Sequence, residues 1–354
     1  NWIKRVLFLA DRNALVTQAK NNFSEYLPEL SSIDLTAEKE NNTTRLVFST
    51  YPTMMNLIDK VHSEEGRFYG VGHFDLIIID EAHRSVYNKY GAIFEYFDSL
   101  IVGLTATPKD SIDHNTYELF DCPSGDPTFS FGLDEAVPKY LVPYRNINVS
   151  TQFLRNGIKY NELSEEDQAK YEEEFRDNDT GIFPEEIASS ELNKWLFNID
   201  TVNKVLDTLM NDGLKIEGGD KIGRTIIFAV NQNHARFIEE CFQKRFPQYP
   251  SGFISMIHNK VSHAQSLIEA FCDHYKENLP QIAISVDMMD TGVDAPRVLN
   301  LVFFKPVRSY AKFWQMIGRG TRLCPDAFGP EMPKEEFLIF DVYQNFNFFE
   351  IQKN

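Results

Sequence analysis

Asp75-Leu-Ile-Ile-Ile-Asp80-Glu81-Ala82-His83 is the stretch on which the reading of this chain turns. Its apolar run has the length and composition of a central strand in a parallel sheet, covered on both faces. Open α/β sheets meet their ligands at the carboxyl ends of the strands, which is where Asp80 and Glu81 would stand. Two adjacent carboxylates there can divide the labour of nucleoside triphosphate hydrolysis. Asp80 would hold Mg²⁺, directly or through water, and Glu81 would orient and deprotonate the attacking water. The plain alternative is a strand that closes in a solvated acidic turn, and the rest of the chain has to choose.

Working outward, strand-like runs recur with helical patterns between them. They fall at 5–10, 45–49, 76–80 and 99–104, and again at 225–230, 281–286, 298–304 and 337–342. Alternation of this kind predicts βαβ units and parallel sheets, and it occurs twice. The expected organisation is α/β with two parallel-sheet domains, 1–150 and 201–354, and a polar, acidic linker or insertion over 151–200. The acidity concentrates between Glu162 and Glu186, including Glu165-Glu166-Asp167 and Glu172-Glu173-Glu174. A solvated helical face is the expectation for that stretch.

The chain has 354 residues, 43% hydrophobic and 25% charged, the composition of a globular protein with a full core. No run approaches the ~18 apolar residues of a transmembrane helix, so no membrane partner is expected. Cys122, Cys241, Cys272 and Cys324 are scattered without metal-like spacing, which suits a reducing cytoplasm. A net charge of −17 argues against a wholly basic nucleic-acid binder but leaves room for a local groove. The chain opens on Asn1-Trp2-Ile3-Lys4, without Met or signal peptide, as expected of a piece of a longer polypeptide.

Three further constellations carry chemistry. Gly103-Leu104-Thr105-Ala106-Thr107-Pro108 places two hydroxyls after a strand-like run, either to serve the acidic site or γ-phosphate, or to cap the next helix. In Gln315-Met-Ile-Gly318-Arg319-Gly320-Thr321-Arg322 the two arginines lie three apart, so on a helical turn they would share a face. Paired guanidiniums beside a flexible glycine suit a transition-state phosphate clamp; the alternative is a solvated basic turn. In Asp290-Thr291-Gly292-Val293-Asp294, Asp294 could bond a ribose hydroxyl or the arginines, or cap the following turn.

In this order the pieces resemble the motifs of superfamily 2 helicases and translocases. The stretch 6–18 is similar to motif Ia, and Ser49-Thr50-Tyr51-Pro52-Thr53 to the DNA-contacting motif that follows. Asp80-Glu81-Ala82-His83 matches the DEAH form of motif II, and Thr105-Ala106-Thr107 motif III. Thr225–Val230 resembles motif IV, Thr291-Gly292-Val293-Asp294 motif V, and Gln315–Arg322 motif VI. Within the superfamily these stretches look most like the motor (R) subunit of type I restriction enzymes.

The resemblance implies two RecA-like domains with ATP and Mg²⁺ between them and double-stranded DNA as the track. It implies catalytic roles for Asp80, Glu81, Gln315, Arg319 and Arg322, and coupling of ATP to DNA by His83, Thr105 and Thr107. Gly292 and Asp294 would bind ATP. Arg12, Ser49, Thr50 and Tyr51 would touch the nucleic-acid backbone, which gives grip without sequence information. Methyltransferase and specificity subunits of a restriction-modification complex are the implied protein partners.

Two departures qualify it. No Gly-x-x-x-x-Gly-Lys-Ser/Thr loop occurs; the nearest imitation, Gly218-Gly-Asp-Lys-Ile-Gly223-Arg224-Thr225, has Arg in place of Lys and precedes a strand. Weak or absent hydrolysis is therefore expected of these residues alone. The nuclease constellation of type I R subunits is missing as well. Two other readings stay open: another DEAH-type helicase acting in DNA repair or on RNA, and an inactive motor fold kept as a scaffold.

Overall fold

The computed structural model describes residues 2–39, 43–59, 68–82, 84–105, 117, 120–123, 125–149, 158–159, 168, 186–187, 199–257, 264–273, 279–290 and 293–351. The chain divides into two compact units, Asn1–Phe131 and Gly132–Asn354.

The first unit is a five-stranded parallel sheet. Its strands are β1 (Val6–Ala10), β2 (Ser32–Asp34), β3 (Leu46–Thr50), β4 (Leu76–Ile79) and β5 (Leu100–Gly103), in the spatial order β2-β3-β1-β4-β5. Three crossover helices join them: α1 (Asn13–Tyr26), α2 (Tyr51–Asp59) and α3 (Arg84–Tyr96). Leu7, Leu9, Val47 and Ile77 are fully buried, as central strands that read as unbroken apolar runs require. Asp75 fastens the entry to the sheet: its Oδ2 accepts the backbone N–H of Lys4 at 2.7 Å and of Arg5 at 2.9 Å, which ties the start of β1 to the start of β4. At the opposite edge, alternate residues Leu100, Val102 and Leu104 are exposed.

The second unit opens with the short helix α4 (Leu133–Ala136) and the strand β6 (Tyr144–Asn148). Two-residue strands follow, β7 (Ile158–Lys159) pairing antiparallel with β8 (Glu186–Ile187), and then β9 (Lys215–Ile216) with β10 (Lys221–Ile222). The main sheet adds β11 (Arg224–Ala229), β12 (Ile254–Ile257), β13 (Ile282–Ser285), β14 (Val298–Phe304) and β15 (Phe337–Asp341). Its order is β12-β13-β11-β14-β15-β6, all parallel. The helices are α5 (Ile199–Asp212), α6 (Gln232–Arg245), α7 (Ala264–Cys272), α8 (Tyr310–Ile317) and α9 (Asn345–Phe348).

The two parallel α/β domains stand as the sequence predicts. The division lies earlier than residue 150, because β6 is hydrogen-bonded to β15 and so belongs to the second sheet. Most of the acidic 162–186 stretch lies outside the described residues. The described parts of 151–200 include the β7–β8 pair, which the expectation of a helical insertion did not contain.

A polar residue sits in the middle of β14. Asn300 is fully buried, and it is satisfied in full: its Oδ1 accepts Leu214 N–H at 2.9 Å, while its Nδ2 donates to the Leu214 carbonyl at 3.1 Å and Thr225 Oγ1 at 3.3 Å. It thereby fixes the register of the β9–β10 turn against the sheet.

His234, in the first turn of α6, is also fully buried. Its ring stands edge-on to Phe304 with centroids 4.7 Å apart, and its Nδ1 accepts the Val230 N–H at 3.4 Å. Burial lowers its pKa from 6.5 to about 3. The unfolded chain thus takes up a proton near pH 6.5 that the folded chain refuses down to about pH 3. Stability contributed by the neutral ring is full above that window and is lost as pH falls through it, by up to ~1.4 kcal/mol per unit. Melting temperature measured from pH 7 to pH 4 should fall, and more steeply for the native chain than for His234→Asn, whose amide occupies the Nδ1 position without titrating. Equal slopes would show that the ring is protonated within the fold.

Candidate nucleotide and phosphate site

In the first sheet the carboxyl ends of four neighbouring strands deliver the polar residues: Asp11 and Arg12 after β1, Thr50 and Tyr51 at the β3–α2 junction, Asp80 and Glu81 after β4, Thr105 after β5. Parallel pairing makes this inevitable, since every strand ends on the same edge. The Asp80–Ala82 turn is held from three sides. Asp80 N–H donates to the Leu9 carbonyl at 2.9 Å, Ala82 N–H to the Leu104 carbonyl at 2.8 Å, and the Tyr51 hydroxyl to the Asp80 carbonyl at 2.9 Å.

Between these anchors Glu81 adopts φ 54°, the left-handed region that a non-glycine residue avoids. Such a residue costs on the order of 1–3 kcal/mol, maintained only where its surroundings over-determine it. Its N–H returns to Asp80 Oδ1 at 3.1 Å. Burial first, and then the charge of Asp11, raise the Asp80 carboxyl above the usual range, against that hydrogen bond. A divalent cation would relieve this repulsion, so the carboxylate suits Mg²⁺. Among the described residues no group of three or more His, Cys, Asp or Glu could hold a metal ion. Mg²⁺ commonly takes one or two carboxylates and completes its shell with water and phosphate.

The residues expected on the track divide. Arg12 is exposed at the N-cap of α1, 3.5 Å from the Asp11 carboxylate. Ser49, Thr50 and Tyr51 are turned inward, with 0%, 6% and 1% of their surface exposed. Ser49 Oγ donates to the Thr50 carbonyl at 3.1 Å, Thr50 Oγ1 lies 2.9 Å from Thr53 Oγ1, and the Tyr51 ring stacks on Tyr90 at 5.1 Å. The hydroxyls that looked available from the motif are engaged inside the domain. Thr105 is exposed just past β5, while His83 and Thr107 lie outside the described residues.

In the second unit the crossover from β14 to β15 carries the arginines. Helix α8 runs back against the strands, so its carboxyl end reaches the amino ends of β14 and β15. Arg319 Nε donates to the Gln315 carbonyl at 3.0 Å and its Nη1 to the Val293 carbonyl. Arg322 Nε lies 3.1 Å from Asp294 Oδ1. The structure thus brings Gln315, Arg319, Arg322 and Asp294 together, with the Asp294 carboxylate on Arg322. Gly292 lies outside the described residues.

Two features set the turn between the arginines. A Cβ on Gly320 would stand 2.2 Å from Phe337 Cδ2, so the ring at the head of β15 leaves room for glycine alone. Lys334, only 3% exposed, donates from Nζ to the carbonyls of Gly320 at 2.6 Å, Val298 at 2.5 Å and Pro296 at 3.2 Å. Three N–H donors meet three acceptors, and burial pulls the ammonium's pKa down to about 7. Lys334 and Asp11 were not anticipated. Lys334 sits in a polar segment between Pro333 and Glu335, and nothing local announces that its ammonium turns inward.

At the other end of the same sheet Lys305, 7% exposed, is 2.8 Å from Asp290 Oδ2, and Lys312 of α8 is 3.0 Å from the same oxygen. This network seats the first turn of α8, the helix that ends in the arginine turn.

One parallel α/β sheet ends in Asp-Glu, and the other presents paired arginines. Residues 1–110 match the family described as type III restriction enzyme, res subunit, and residues 202–324 the helicase conserved C-terminal domain. The chain carries superfamily 2 helicase motor sequence in both of its units, and the two domains have RecA-like folds.

More particularly, it is 27% identical over 371 residues to the type I restriction enzyme EcoKI endonuclease subunit of Escherichia coli K12, covering 96% of this chain and 30% of that one. It is 28% identical over 335 residues to the EcoAI endonuclease subunit of Escherichia coli, covering 90% of this chain and 38% of that one. A solved fragment described as the HsdR subunit of a type I restriction enzyme from Vibrio vulnificus YJ016 superposes with TM-score 0.63 at 23% identity, over 98% of this chain and 54% of the other. The chain thus spans about a third of the length of these curated relatives. Among the described residues no helix is long and apolar enough to cross a membrane.

Proposed function

We propose that this chain is motor sequence of a type I restriction enzyme R subunit, which couples ATP hydrolysis to movement along double-stranded DNA. The observation that carries the reading is the Asp80-Glu81 pair, anchored on three sides at the carboxyl edge of a parallel sheet with Glu81 in a strained conformation. Glu81 orients the attacking water and takes its proton. Asp80 holds Mg²⁺, which when bound neutralises charge on the phosphate oxygens. Arg319 and Arg322 stabilise the charge that develops on the transferred group, and Gln315 contacts the γ-phosphate or its water.

Asp294 both pairs with Arg322 and is available to a ribose hydroxyl, with Gly292 beside it in sequence. His83, Thr105 and Thr107 carry the state of the nucleotide to the DNA surface. Arg12 and backbone groups near Thr50 meet phosphates of the track, which suits a protein that moves without reading bases. Such a subunit works in the cytoplasm beside methyltransferase and specificity subunits.

The test is ATP turnover by the full polypeptide containing these residues, with and without double-stranded DNA. Strong stimulation by a blunt duplex, with no strand separation on a tailed one, is expected. Unwinding of the tailed duplex would assign the chain to the strand-separating helicases, and no turnover with any nucleic acid would favour a scaffold.

A further inference from the structure

Of the three bonds described above that tie the Asp80–Ala82 turn to neighbouring elements, two run between backbone groups. The third comes from a side chain, the phenol of Tyr51, and it can be removed by taking away one oxygen. Its setting is built for permanence. The ring is 1% exposed and stacks on Tyr90 with planes 13° apart. Pro52 follows it in the first turn of α2, and the Thr50–Thr53 hydroxyl pair fastens that turn. Burial, followed by the charges of Asp80, Asp11 and Glu81, pushes the phenol's pKa far upward, so it remains an O–H donor.

The Asp80 carbonyl that it grips belongs to the peptide linking Asp80 to Glu81. Rotation of that peptide is what would let Glu81 relax from φ 54° into an ordinary conformation and swing its carboxylate away.

We propose that Tyr51 is a positioning residue for hydrolysis: its hydroxyl clamps the Asp80–Glu81 peptide and so holds the Glu81 carboxylate and the Asp80 ligand in their working orientation. The inference rests on the reading of Glu81 as general base. It gives the Ser49-Thr50-Tyr51 segment a task inside the motor, transmitting the position of α2 to the acidic turn through one hydrogen bond.

The experiment is Tyr51→Phe in the full polypeptide, beside Glu81→Gln and the double variant. Loss of one oriented hydrogen bond should lower kcat for duplex-stimulated hydrolysis about ten-fold with the KM for ATP within about two-fold. The Mg²⁺ concentration for half-maximal turnover should rise, and the cooperative thermal transition should persist close to that of the native chain. In the Glu81→Gln background at saturating Mg²⁺, where the Asp80 contribution is masked, Tyr51→Phe should reduce residual turnover no further, because its remaining effect acts through that carboxylate. A kcat within two-fold of native, or an equal loss in both backgrounds, would overturn the positioning role. So would a Tyr51→Phe chain that no longer melts cooperatively, since the hydroxyl would then be a general folding element. If Glu81→Gln itself left turnover intact, the general-base reading would fall instead, whatever Tyr51→Phe does.

Discussion

Glu81→Gln should lower duplex-stimulated ATP turnover by at least about a hundred-fold, the range lost when a general base is removed. The amide matches the carboxylate in size and can occupy the same left-handed backbone position at similar cost, so the Asp80–Ala82 turn and its three anchors should survive. What it cannot do is accept a proton from water. ATP binding, followed by retention of labelled nucleotide on the protein, should therefore be preserved while kcat collapses. A variant that kept more than a tenth of native turnover would remove Glu81 from the base's role.

Arg319→Ala is the second large effect. The Arg319 guanidinium is oriented by donation to the Gln315 and Val293 carbonyls, one on α8 and the other beside Asp294. Groups aimed at charge that appears only in the transition state leave substrate binding nearly untouched when removed. A fall of about 10³-fold in kcat with an ATP KM close to native is expected, the scale seen for arginines of this role. Arg319→Lys should recover little, because an ammonium on a flexible stem cannot make the same planar, two-carbonyl fork. The check is a full ATP titration of each variant; a rise in KM with kcat unchanged would recast Arg319 as a ground-state binder.

Much of this was legible before any coordinates. The central strands announce themselves: Leu76–Ile79 is an unbroken apolar run and Val298–Phe304 is one interrupted only by Asn300, and both lie inside a sheet covered on two faces. Asp80 and Glu81 follow from where such a strand must end. Edge strands were harder. In β6, Tyr-Arg-Asn-Ile-Asn is too polar to register as a strand, because one side of an edge faces water, and the sequence alone therefore places the domain boundary later than the structure does.

Side-chain direction at a strand-to-helix junction was also hidden. Ser49, Thr50 and Tyr51 have the residue types of a surface contact, but β3 is an inner strand buried on both faces and Tyr51 opens a helix packed on the sheet, so all three are enclosed. Lys334 could not be seen at all, since three carbonyls from distant segments create its site and none of them has a side-chain signature.

The collision between Gly320 and Phe337 has a meaning for how such a chain can drift over generations. The two positions act as one character. A methyl at 320 becomes tolerable only once residue 337 has shed its ring, and a smaller residue at 337 first opens a void beneath the head of β15. Either order passes through a weakened intermediate, so the pair should be inherited together, with change at one tracked by change at the other across a gap of seventeen residues.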